Sequence, residues 1–156
     1  MKGASQILEM LNAVLVGELT AINQYFLGAK ICDHKGYARL HEKLFRESLE
    51  EMKHAEKLVD RILYLEGIPN LQKLEKVRIA ESVSEQLAAD LDLEKHGVER
   101  LNQGIRLARE QGDNGSAELL EGLLVSAEAH VNWLETQVGL IRQLGDAHYL
   151  AQQITK

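Results

Sequence analysis

Glu51 and His54 lie three residues apart in Glu51-Met52-Lys53-His54, a spacing that on a helix sets a carboxylate and an imidazole on one face. Toward the other end of the chain, VSAEAHVNW offers half of the same pair: His130 is present, but the position three before it is Ala127. Two further acids, Glu18 and Glu94, interrupt apolar stripes where leucine is expected. Carboxylate oxygens mixed with imidazole nitrogens, and no thiolate, suit iron or manganese better than a structural zinc site; iron is the expected metal. Two Fe(II) ions sharing Glu51 could pass electrons to O2 or peroxide and end as ferric iron.

Such chemistry needs elements that hold these groups at one level. The chain has 156 residues, enough for one domain spanning 1–156, and its 45% hydrophobic and 27% charged residues are ordinary for a globular protein. One proline and few aromatics, against abundant Leu, Glu, Ala and Lys, favour an all-α fold. The net charge of −6 argues against nucleic acid as a partner, since neutralising phosphates takes a basic face. The lone Cys32 forms no internal disulfide, MKGASQILEM lacks the apolar run of a signal peptide, and no stretch is expected to cross a membrane, so a cytoplasmic location is expected.

Four long helical patterns follow, then a short one. The first runs from about Ser5, as N-cap, to His34, and the second from about Tyr37 to Leu65, ended by Gly67-Ile68-Pro69-Asn70. Leu71–Glu81 has weak periodicity and reads as a long crossover; the third helix covers about Ser84–Gln111, opened by Ser84 and Glu85. After GDNGS the fourth covers about Ala117–Leu144, and a tail helix lies near Ala147–Gln153. This is a four-helix bundle with one long crossover, the ferritin-like topology.

The seams place the polar residues. Leu11, Leu15, Glu18, Ile22 and Tyr25 form one stripe, and Leu87, Leu91, Glu94, Val98 and Leu101 another. Leu44, Glu47, Glu51, His54 and Leu58 form the third, and Leu123, Ala127, His130 and Leu134 the fourth. Singly, a seam Glu reads best as an edge residue in water and a seam His as a hydrogen-bonded core residue. Jointly, acids on three helices and histidines on two match a di-iron cluster. The second helix also carries an outer apolar row, Phe45, Leu49, Met52, Val59 and Leu63, about a hundred degrees from the seam. With Leu19, Asn23 and Phe26 of the first helix, it reads as a subunit interface.

The motifs MKG, GELTAINQYFL, ESLEEMKHAEKL, DRILYLEGIPNLQ and HVNWLETQVGLI span nearly the whole chain, and by them it resembles the bacterioferritins. The resemblance implies an iron-storage subunit of a hollow cage of twenty-four, with haem b on each dimer axis held by a methionine from either side. Met52 matches that ligand, with Leu19, Ile22, Asn23, Phe26, Phe45, Leu49, Lys53 and Val59 around it. Glu18, Glu51, His54, Glu94 and His130 match the family's ferroxidase ligands, while its second bridging Glu falls on Ala127; Glu128, the next residue, points away from the bundle axis. Arg46, beside Glu50, replaces a His of some members' inner-wall iron site, and Asn114 stands where Tyr is common; Tyr25 and Trp133 match aromatics near the di-iron site.

Three functions compete on this reading. One is a ferroxidase, impaired as a homopolymer, that oxidises Fe(II) with O2 or peroxide. Another is a haem and electron-transfer subunit of a mixed cage, whose companion subunit oxidises iron. The last, an interaction scaffold, leaves five ligand-type residues at core positions unexplained. The resemblance adds a small 2Fe–2S ferredoxin as an electron-donating partner, docking near Ile68, Pro69, Asn70, Leu71 and Glu81.

Overall fold

In a computed structural model the chain forms α1 (Ser5–His34), α2 (Ala38–Tyr64), α3 (Val83–Glu110), α4 (Asn114–Leu144) and a short α5 (Asp146–Ala151). The structure describes residues 1–155, and among the described residues there is no strand. Helices α1 and α2 pack as one hairpin and α3 and α4 as the other, joined by the crossover, so the expected four-helix bundle with a short C-terminal helix is what forms.

The helix starts differ from expectation in instructive ways. Ser5 is the first helical residue of α1, and the cap is Ala4, which makes no side-chain bond. Ser82, not Ser84, caps α3: its Oγ accepts the Glu85 N–H at 3.1 Å, the reach of an N-cap to the third helical residue. Asp113 caps α4 by accepting from the Ser116 N–H, which starts that helix earlier than Ala117. At two helix ends, left-handed glycines, Gly36 (φ 88°) and Gly112 (φ 72°), let the next residue bond back five positions: Tyr37 to Cys32 and Asp113 to Ala108. Helix α2 closes in the same way, Gly67 to Ile62, but with Glu66 at φ 63°, where a side chain costs roughly 1–2 kcal/mol.

Contrary to expectation, α1 is long and apolar enough to cross a membrane by length and composition. Its apolarity has another use in the bundle. Its core residues include Leu11, Leu15 and Tyr25, while Phe26 and Leu27 stay exposed. Between these, Glu18, Thr20 and Gln24 are buried, each with a polar task inside the protein.

Two apolar clusters fill the bundle. One gathers Leu11, Leu15, Leu58, Leu101 and Leu120, the other Leu40, Leu44, Leu87, Leu134 and Tyr149. On each long helix the polar seam residues fall between the stretches that feed these clusters. Thr20 and Gln24 hold the crossover: Thr20 Oγ1 accepts from the Glu75 N–H and Gln24 Oε1 from the Arg78 N–H. Gln86 serves from α3, accepting from the Ala80 N–H and donating to the Arg78 carbonyl. An extended segment that pairs with no strand thus has its backbone groups satisfied by side chains.

Gln24 and Gln86 also donate to Oδ1 of Asp90, which is fully buried while its Oδ2 has no partner. Burial pushes the Asp90 carboxyl up from about 3.8 to about 6, against the opposing pull of those two hydrogen bonds. Because the folded value is the higher one, the associated stability is fully present below the unfolded pKa and is lost as pH rises through about 6. In chelator-treated protein, Asp90→Asn is therefore expected to flatten the decline in stability between pH 4 and pH 7. At pH 8 it should unfold later than the parent by roughly 1–3 kcal/mol. Parallel denaturation curves for parent and variant across that range would refute this account.

Candidate metal centre

The five acids and histidines singled out by spacing meet in the middle of the bundle. Glu18 on α1, Glu51 and His54 on α2, Glu94 on α3 and His130 on α4 are all buried. His54 Nδ1 lies 3.4 Å from Glu51 Oε2 and 3.6 Å from Glu18 Oε2, and Glu18 Oε2 has no hydrogen-bond partner. Across the bundle His130 Nδ1 lies 2.9 Å from Glu94 Oε1, which also accepts a 2.5 Å bond from the Tyr25 hydroxyl. Burying carboxylates this way without cations costs several kcal/mol each unless they hold protons or find counter-charge.

The titration of the cluster reflects that cost. Burial pushes Glu51 upward, against the hydrogen bond and charge of His54. For His130, burial alone would lower the value, but the hydrogen bond and charge of Glu94, with Glu47 and Glu51 behind, leave it raised. Tyr25 is raised well above its ordinary value by burial and by Glu94 and Asp90, so it stays a protonated donor. Shared protons of this kind are what a divalent cation would displace.

One member escapes the sequence reading. Glu47 stands on the α2 seam but is not among the candidate ligands that spacing marks; here its Oε2 lies 3.6 Å from His130 Nδ1. One ligand atom each from Glu47, Glu51 and His130 lies within 4.8 Å of the others, as is also true of Glu18, Glu51 and His54. The available signal is the i,i+4 step from Glu47 to Glu51, which puts both acids on one face of α2.

Ala127 is buried beside the cluster and, with Glu18, Glu51, His54 and Glu94, lines a cavity of about 310 Å³ that Glu75 and Arg100 also line. Glu128 is exposed, as its position on the helix requires. Around His130, the Tyr25 ring stands edge-on at 5.0 Å and Trp133 stacks at 6.0 Å. Arg46 and Glu50 are engaged elsewhere, Arg46 with Glu42 and Glu50 with Lys53, and Asn114 accepts a bond from Arg109.

The architecture and this constellation agree with what comparison finds. The ferritin-like domain model matches residues 8–144. A bacterioferritin of Streptomyces coelicolor is 47% identical over 154 residues, covering 99% of this chain and 92% of its own. The chain belongs to the bacterioferritin family. A bacterioferritin of Mycobacterium leprae is 44% identical over 156 residues, 100% of this chain and 98% of that one; one of Brucella melitensis is 40% identical over 149 residues, 96% and 92%. At these identities the match runs through all four long helices of this bacterioferritin chain.

The outer face of α1 and α2 is as apolar as the sequence implied. Phe26, Leu49, Met52 and Leu63 are each about half exposed, and the Phe26 and Phe45 rings lie 6.2 Å apart. Asn23 folds back, its amide N–H donating to the Leu19 carbonyl. Of the other two methionines, Met10 packs against Gly104 inside the bundle and Met1 lies at the chain start against the Tyr64 hydroxyl. Met52 is thus the thioether on the outer face of α2.

Proposed function

We propose that this chain is an iron-storage subunit of a hollow bacterioferritin cage, cytoplasmic in location, taking Fe(II) as substrate at the mid-bundle cluster and holding haem b between two copies through Met52. The observation that carries this reading is the buried set Glu18, Glu51, His54, Glu94 and His130, drawn from all four long helices and, among the described residues, with no Lys or Arg paired to it. A set of anionic oxygens and imidazole nitrogens this short of counter-charge is built for cations. Glu51 stands between the two histidine-bearing groups and is suited to share two metals. O2 or peroxide takes the electrons released, and ferric product passes into the cage.

The residues of the chain have definable parts in that process. Glu18, Glu51 and His54 bind one Fe(II), and Glu94 and His130 hold the other. Tyr25 fixes Glu94 through its hydroxyl bond, and with Trp133 it packs His130 into one orientation. Haem, which would supply one-electron chemistry when bound, fits a strip that is mostly apolar, with the Met52 sulfur in it, Asn23 turned back onto its own helix and Lys53 at its margin. A second reading rests on Ala127: without a carboxylate there, the chain serves as the haem and electron-transfer member of a mixed cage, whose companion oxidises the iron. A 2Fe–2S ferredoxin is the proposed electron donor in either case, near the exposed Ile68 and Leu71.

Anomalous scattering from iron-soaked crystals tests the centre. Iron is expected within bonding distance of Glu18, Glu51 and His54, and Glu51→Ala should lower Fe(II) binding and oxidation at least about tenfold, as losing a shared ligand demands. Iron that loads the cavity of the cage but never this cluster would reject the assignment.

A further inference from the structure

We propose that Glu47 furnishes the carboxylate that position 127 does not, so that Glu47, Glu51, Glu94 and His130 form a complete second metal seat. This rests on the reading of the mid-bundle cluster as an Fe(II) site and assigns it a ligand that the Glu-x-x-His spacing leaves out. Three observations converge on Glu47. Its Oε2 faces His130 Nδ1 at 3.6 Å, on the nitrogen that also faces Glu94. Its carboxylate is mostly buried, with the side chain 13% exposed. Its other oxygen, Oε1, is held by Lys43 Nζ at 2.8 Å, and that ammonium lies over the Trp133 ring at 5.2 Å.

This arrangement divides the two oxygens of Glu47 between two tasks. Lys43 takes Oε1 and balances the extra negative charge, while Oε2 remains aimed into the cluster. Lys43 is a positioning residue: it sets the rotamer of Glu47, and Trp133 in turn keeps the ammonium from swinging away. The ligands then count unevenly. Glu18, Glu51 and His54 give the first seat three donors, whereas Glu94, Glu47, the shared Glu51 and His130 give the second four. The seat adjoining Ala127 through His130 is therefore the better furnished, although the missing carboxylate belongs to the same helix as its imidazole. The unpartnered, buried Glu18 Oε2 lies on the less furnished side.

The test is anaerobic titration of the purified, assembled protein with Co(II), which air does not oxidise and whose visible bands report coordination. The parent is expected to bind two Co(II) per subunit. Glu47→Gln, nearly the same in shape, is expected to lose one of them and keep the other, with unchanged helix content and assembly size. His54→Ala should lose the opposite equivalent and retain the band that Glu47→Gln abolishes. Two equivalents in Glu47→Gln at the parent's affinity would remove Glu47 as a ligand while leaving the iron site itself standing. A parent that binds a single equivalent, unaltered by Glu47→Gln, would do the same. A parent that binds none would overturn both this assignment and the site on which it rests.

Discussion

Met52→Leu is expected to yield an assembled protein that has lost essentially all its b-type haem absorbance. The strip on α2 keeps its apolar character with Leu at 52, so apolar contacts between two copies over it would survive, whereas a haem held there through Met52 would lose its sulfur ligand. Other ligands on this face are poorly placed to replace it. His41 Nδ1 is already bonded to the Ala29 carbonyl, and Lys53 is paired with Glu50. Met52→His supplies the control: haem should be retained, with a spectrum shifted to that of nitrogen ligation and a lower potential, since a thioether favours the reduced iron more than imidazole does. Haem content and spectrum unchanged in Met52→Leu would exclude Met52 as the ligand. Loss of assembly in the leucine variant alone would instead mean that its sulfur, and not its bulk, holds the interface.

Much of this molecule can be read from spacing because seams are strict. An acid at Glu18 or Glu94, or a histidine at His130, stands out against leucines that recur every three or four residues, and helices of this length leave little freedom in where such residues point. The limits of the reading have physical causes. Glu47 lies on the same seam, but its meeting with His130 crosses from α2 to α4, and no interval within one helix reports a contact between two. Thr20, Gln24 and Gln86 resemble ordinary polar residues until the crossover is seen to need their side chains for its backbone bonds. The caps fail locally: two serines, Ser82 and Ser84, stand at the start of α3, and the hydrogen bond from the Glu85 N–H marks Ser82 as the cap, with Ser84 already inside the helix. In α1 the scattered polar residues hide a length and mean apolarity that would suffice to span a bilayer; in the bundle its apolar residues serve the core and an outer strip together.

The alanine in the fourth seam carries the second large expectation. Ala127→Glu should place a carboxylate on the His130 face of α4, since residues three apart are neighbours on a helix, and the adjoining cavity of about 310 Å³ has room for the side chain. Without metal the change should be harmful. The new acid would join Glu18, Glu51 and Glu94 in a region already raising the pKa of Glu51 through burial, so either it takes a proton or it repels its neighbours. A loss of about 2–3 kcal/mol in the metal-free protein corresponds to holding one carboxyl about two pKa units above its ordinary value. With metal the balance reverses. Glu47 reaches one seat only, whereas a carboxylate at 127 could be shared, raising the first seat from three donors to four and tying both metals together. Fe(II) at a hundredfold above its dissociation constant should then return about 2.7 kcal/mol through linkage to the folded state. Oxidation of Fe(II) should rise about tenfold or more in stopped-flow measurements, the scale on which ligand-shell changes alter activity. A crystal structure of the variant showing the introduced carboxylate turned into the cluster, together with unchanged iron stoichiometry and an unchanged rate, would establish that the absent carboxylate does not limit this subunit. The mixed-cage reading would then lose its principal observation, with only the departures at Arg46 and Asn114 left to it.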